Sequence, residues 1–153
     1  MGSLAIPCAL GHAGIRYAKR EGDGATPAGR WSLLELLYRA DRMGRPLTRL
    51  PLRPIRASDG WCDAAGNRNY NRRIRMPYPA SYEELARNDA LYDIVVVLSY
   101  NLKPRIQGRG SAVFFHLLQN PGTPTAGCVA IAKKDMLKIL QFCGPRTAFK
   151  IGS

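Results

Sequence analysis

Gly108-Arg109-Gly110-Ser111-Ala112-Val113-Phe114-Phe115-His116 continues through Leu117 to Ala126 and into Gly127-Cys128-Val129-Ala130-Ile131. Two apolar, β-prone runs flank a turn-rich spacer, Gln119-Asn120-Pro121-Gly122-Thr123-Pro124-Thr125. Aromatic and β-branched residues suit a buried pleated strand, and Gly and Pro interrupt one. The pattern predicts strands over Ala112 to Leu117 and Cys128 to Ala132, folded back so that His116 and Cys128 come together. A thiol needs a base to become a thiolate at neutral pH, and an imidazole within hydrogen-bond reach supplies it. Gly127 lets the backbone approach a substrate and aim an N–H, as an oxyanion hole requires. A plainer reading stays open for the pair alone, because free cysteine, and histidine beside phenylalanine, also pack in cores.

The residues around the pair carry more. His116 followed by Thr125-Ala126-Gly127-Cys128-Val129 resembles the signature of the L,D-transpeptidases of YkuD (ErfK/YbiS/YcfS/YnhG) type: a His, a spacer, then Ser/Thr-x-Gly-Cys and an aliphatic residue. Arg20-Glu21-Gly22-Asp23-Gly24-Ala25-Thr26-Pro27-Ala28-Gly29 is similar to the Thr-Pro-x-Gly turn near the start of that domain. Trp61-Cys62-Asp63, Asn69-Tyr70-Asn71 and Tyr100-Asn101 before Gly108-Arg109-Gly110 resemble its short, single-domain bacterial branch. The likeness runs from Leu4 to Ile151 and implies one catalytic domain over residues 4–151, mostly β (α+β) and β-sandwich-like, with two short helices.

The resemblance implies acyl transfer through a thioester. Cys128 would be the nucleophile and His116 the general base. The Cys128 and Gly127 N–H groups would hold the oxyanion, and the Leu117 carbonyl would orient the imidazole. Substrate contacts are expected from Tyr100, Asn101, Arg109, Thr125, Asn71, Arg72 and Arg73; a hydrogen-bonding Asn beside two cations suits peptide amides and carboxylates. The implied substrates are peptidoglycan stem peptides, joined either diamino acid to diamino acid or L-Ala at position one to diamino acid. Two other readings use the same chain: an L,D-carboxypeptidase with water as acceptor, and a non-catalytic basic module binding wall polymer or nucleic acid. The expected enzyme is a monomer of the periplasm or cell envelope, with no metal or other cofactor, no nucleic-acid partner and no membrane insertion. Three departures from the family pattern stand out: Ala126 where many relatives have His, Ala130 where many have Arg or Asn, and a short spacer between His116 and Cys128. Arg109, Arg72 and Arg73 are the candidates to replace the missing cation.

Composition sets the frame. The 153 residues suffice for one domain and one core, and 46% hydrophobic content is that of a folded chain. No apolar run approaches the roughly 20 residues of a membrane span. Met1-Gly2-Ser3-Leu4-Ala5-Ile6-Pro7 reads neither as the charged start nor as the apolar stretch of a secretory signal. A net charge of +12 draws anionic partners, but the arginines are scattered and no nucleic-acid-binding motif accompanies them. Cys8 and His12 are four apart, yet Pro7 and Gly11 oppose a helix that would turn them into a zinc site. Cys8 and Cys143 are expected as small core hydrophobes, and Cys62 as buried beside Trp61.

Periodicity supplies the other elements. Strands are expected over Leu4 to Leu10, Ile15 to Lys19, Asp93 to Tyr100 and Arg146 to Ile151. Trp31 to Tyr38 reads as a strand whose Leu-Leu pairs also permit a helix. Residues 39–56, with Pro46, Pro51 and Pro54, read as a connection. Ser81-Tyr82-Glu83-Glu84 fits a capping box opening a short helix to Asn88. Lys133 to Cys143 predicts an amphipathic helix burying Met136, Leu137, Ile139, Leu140 and Cys143, stopped by Gly144-Pro145.

Overall fold

The structure is a computed structural model and describes residues 3–152. Its elements are β1 (Cys8–Ala9), β2 (Ile15–Arg16), β3 (Thr26–Pro27), β4 (Gly29–Tyr38), β5 (Leu52–Pro54), β6 (Asp59–Cys62), β7 (Arg72–Arg75), β8 (Tyr82–Glu84), β9 (Ile94–Leu98), β10 (Phe114–Leu117), β11 (Val129–Ile131), α1 (Lys133–Leu140) and β12 (Ala148–Ile151). The main sheet runs β1-β11-β10-β9-β4-β12, with β5 paired to the far end of β4. Only β10–β11 and β4–β5 are parallel within it. A second sheet, β7-β6-β8, packs its Trp61 edge-on against Phe114 of β10, ring centroids 5.1 Å apart.

β9 is apolar at every position because both its faces are covered. Ile94, Val96 and Leu98 join Leu36, Phe115, Ile131 and the helix residues Met136 and Leu140. Val95 and Val97 face the other way, onto Leu37, Trp61, Leu85, Tyr92 and Phe114. Each such side chain, fully buried, contributes about 1.5–3 kcal/mol. The mostly-β expectation holds. β4 settles the ambiguity over Trp31 to Tyr38 because its edges pair with β9, β12 and β5, partners that a helix could not serve.

Three expectations are corrected. Residues 81–88 form no helix; the structure has β8 there, followed by bends, so one helix is present among the described residues rather than two. The capping-box residues instead pair with β6, Gly60 opposite Glu84 and Cys62 opposite Tyr82. Eight residues are too few to form a helix unaided, and a strand edge offers hydrogen bonds at once. Leu4 to Leu10 yields only β1, and Cys8 is exposed. β1 is an edge strand, and its alternation turns Ala9 inward and Cys8 out. The helix buries Met136 and Leu140, with Cys143 buried beyond its end, whereas Leu137 and Ile139 are only half-buried. Cys62 is fully buried, as expected.

Candidate active site

The parallel pairing of β10 with β11 sets Phe115 opposite Val129 and His116 opposite Ala130. Side chains alternate, so Phe115, Val129 and Ile131 enter the helix-side core while His116, Ala130 and Cys128 share the opposite face. There they line one cleft of about 310 Å³. Glu83, Arg87 and Tyr92 form one wall of it, and Leu118 to Asn120 with Thr123 to Ala126 form another.

His116 is buried, and its Nδ1 lies 2.9 Å from the Leu117 carbonyl oxygen. That acceptor places the ring proton on Nδ1 and leaves Nε2 as the basic nitrogen. The Tyr92 ring meets the imidazole edge-on at 5.2 Å. Burial pulls the imidazole pKa below its ordinary value, against the Leu117 hydrogen bond, and the Arg87 charge pulls it further down. Cys128 is half-buried. Its thiol donates to the Ala112 carbonyl at 3.2 Å and accepts from the Phe114 N–H at 3.3 Å. Burial, reinforced by the Glu83 charge, pushes the thiol pKa up to about 12, against the Phe114 N–H and Lys19. At neutral pH the pair therefore rests as thiol and neutral imidazole, with the S–H directed to Ala112. Passing that proton to His116 requires Sγ to leave Ala112.

The turn before Cys128 is held by Thr125. Its hydroxyl donates to the Cys128 carbonyl at 2.7 Å and accepts from the Gly127 N–H at 3.1 Å. The Gly127 N–H is thus engaged inside the turn. Gly127 has φ +145°, and a Cβ there would lie 2.8 Å from the Ala25 carbonyl oxygen and 3.3 Å from Lys19 Nζ. The Arg20–Gly29 loop beneath it is fixed by Asp23, which accepts from Lys19 Nζ and the N–H groups of Arg20 and Ala25 at 2.8–2.9 Å. Burial opposes ionisation of Asp23, but the Lys19 and backbone hydrogen bonds outweigh it and hold its pKa at about 2. Backbone oxygen cannot yield as a side chain can. Gly127→Ala is expected to cost about 2–4 kcal/mol from the unfavourable φ and overpacking, read by urea denaturation. A cost below about 1 kcal/mol would mean that the loop gives way.

The remaining candidates divide. Thr125 lines the cleft; Asn71, Arg72, Arg73, Tyr100, Asn101 and Arg109 do not. Asn71 is a buried fastener. Its Oδ1 accepts from Trp61 Nε1 at 2.9 Å and the Ala112 N–H at 3.1 Å, and its Nδ2 donates to the Asn101 carbonyl at 2.7 Å. Asn71, Asn101 and Ala112 are the three non-glycine residues with positive φ among the described residues, at 53°, 51° and 50°. One side chain thus ties all three, and the last of them accepts the Cys128 thiol. Asn101 donates to the Ile106 and Gly110 carbonyls, and Tyr100 donates to the Arg109 carbonyl. Arg109 and Arg72 are exposed, and Arg73 pairs with Glu35 at 2.8 Å. Asn71→Ala strands two buried N–H groups and a part-buried carbonyl, and removes a side chain suited to the left-handed region. A loss of about 3–5 kcal/mol in denaturant unfolding is expected, by the cost of unpaired buried groups; a change within error would deny the fastening role.

Glu83, Arg87 and Tyr92 line the cleft without having been singled out from sequence. In sequence Glu83 falls inside the capping-box pattern of a short helix, and the turn around Tyr92 carries no periodic signal. The guanidinium in the cleft is Arg87, rather than Arg109, Arg72 or Arg73. The family model described as YkuD, L,D-transpeptidase catalytic domain, matches residues 3–151. No curated protein and no solved structure matches the chain.

Proposed function

The chain belongs to the YkuD family of L,D-transpeptidase catalytic domains, and from that premise we propose that it is a peptidoglycan L,D-transpeptidase with Cys128 as nucleophile. The supporting observation is that Cys128 and His116 open on one cleft while the Leu117 carbonyl fixes the imidazole with Nε2 free to act as base.

The thiol leaves Ala112 and gives its proton to His116 Nε2 as Sγ attacks the carbonyl at an L-centre of a stem peptide. The Gly127 N–H is held by Thr125, so the oxyanion falls to the Cys128 N–H, a donor worth about 3–4 kcal/mol by comparison with other acyl-transfer enzymes. Collapse breaks the peptide bond, and His116 returns its proton to the departing amine. The remaining acyl group is a thioester on Cys128. The neutral amine of a second stem attacks it, His116 takes the amine proton, and the thiol is restored as the crosslink forms. That acceptor is a diamino acid, and the donated centre is either another diamino acid or the L-Ala of position one. The substrate places this work in the cell envelope.

Incubation with purified muropeptides followed by mass analysis tests the reading. Dimers are expected. Monomeric tripeptide alone would make the enzyme a carboxypeptidase, and neither product would leave a binding module.

A further inference from the structure

We propose that Glu83 is the ammonium-binding residue of the cleft: its carboxylate receives a protonated amine of the stem peptide beside Cys128. This rests on the transpeptidase reading and names the substrate group that the site selects.

Three observations carry it. First, Glu83 is held in place from both ends. Its backbone sits in β8 opposite Trp61 of β6, and its Oε2 accepts from the Tyr92 hydroxyl at 2.5 Å. Second, it is a carboxylate left without a cation in a chain of net charge +12. Among the described residues Asp23, Glu35, Asp41, Asp59, Asp89 and Asp93 each pair with a lysine or arginine; Glu21, Asp63, Glu83, Glu84 and Asp135 do not, and of those five Glu83 alone lines the cleft. The neighbouring guanidinium, Arg87, is committed to Asp89 through two hydrogen bonds of 2.6 and 2.9 Å. Third, Glu83 lines the same cleft as His116 and Cys128.

An uncompensated carboxylate in a half-buried, largely apolar cleft is costly. Its pKa is raised, first by that burial, and the Tyr92 hydrogen bond only partly offsets it. Its charge also works against the Cys128 thiolate. Both penalties vanish when a ligand brings a positive charge, so an arriving ammonium is bound and the nucleophile is released by the same event. A primary ammonium on a diamino acid has the charge and the donors for the open carboxylate oxygen.

The test uses Cys128→Ala protein, which cannot turn over, and calorimetry. The ligands are a stem tripeptide ending in a diamino acid and the same tripeptide acetylated on its side-chain amine. The free amine is expected to bind at least tenfold more tightly; Glu83→Gln reduces that preference to below twofold, and Glu83→Asp keeps part of it. Equal binding of both ligands, or a preference that survives Glu83→Gln, overturns the proposal. In protein retaining Cys128, Glu83→Gln should also speed iodoacetamide alkylation of that thiol, because a negative charge has gone. Slower alkylation overturns the proposal in favour of a packing role. The two readings fail separately. Dimers formed without an amine preference defeat this proposal alone, and an amine preference without dimers or tripeptide defeats the transpeptidase reading alone.

Discussion

Cys128→Ala abolishes dimers and hydrolysed tripeptide together, with turnover at least about 10⁴-fold below the parent. The size of the effect follows from the chemistry: of the four cysteines, Cys128 alone lines the cleft with His116. The thioester, the intermediate common to transfer and hydrolysis, cannot form. The cost in stability is small by comparison. The half-buried sulfur gives up two hydrogen bonds, to Ala112 and from Phe114, about 1 kcal/mol each at most for such weak partners. Folded protein without product, by circular dichroism beside the muropeptide assay, is the expected pair of results. A variant that still makes either product would move the nucleophile elsewhere.

His116→Ala lowers thioester formation by about 10²–10⁴-fold, the range for a positioned general base. Its pH behaviour carries more information than its size. The imidazole pKa lies below the ordinary value of 6.5 because the ring is buried. A lowered pKa keeps the base deprotonated to lower pH, so the parent rate should be level through neutrality and fall only below about pH 6.5. The thiol pKa of about 12 means that little thiolate forms unaided at neutral pH. His116→Ala protein should therefore gain about tenfold in rate per pH unit up to about pH 10, as direct ionisation replaces the missing base. A parent acid limb above the ordinary imidazole range, or a variant flat in pH, would contradict this account. Stopped-time mass spectrometry of the acylated protein reads both profiles.

What could be read from the chain and what could not separate along physical lines. The strands β9, β10 and β11 were legible because each is an apolar run closed by turn residues, and burial on both faces leaves nothing else for such a run to do. His116 and Cys128 read as a pair from two strands folded back over a turn-rich spacer, whereas β10 and β11 pair in parallel, an arrangement that the turn residues alone do not signal. The Leu117 carbonyl lies 2.9 Å from Nδ1. Asn71, in a turn-rich segment, reads in sequence as a substrate contact. Its burial under Trp61 and Ala112 depends on contacts 10 and 41 residues away in sequence, which no local pattern contains. Glu83 was obscured for a related reason. Ser81-Tyr82-Glu83-Glu84 satisfies the local rule for a helix start, but the free edge of β6 satisfied its backbone first. The engagement of the Gly127 N–H by Thr125 was likewise beyond reach, since a glycine before a cysteine says that the backbone is free, not where it points.

The most direct measurement is intact-mass analysis of the protein treated with a carbapenem, followed by peptide mapping, with iodoacetamide as the comparison. Cys8 is exposed and Cys128 lies half-buried with its thiol pKa pushed up. The simple alkylating agent should therefore favour Cys8. The carbapenem offers an acyl group that needs the imidazole and the oxyanion donor. It should add once, on Cys128, and the adduct should form far more slowly in His116→Ala protein. A carbapenem adduct on Cys8, no adduct at all, or labelling of Cys128 indifferent to His116 would contradict the claim that this sulfur and this imidazole work as one site.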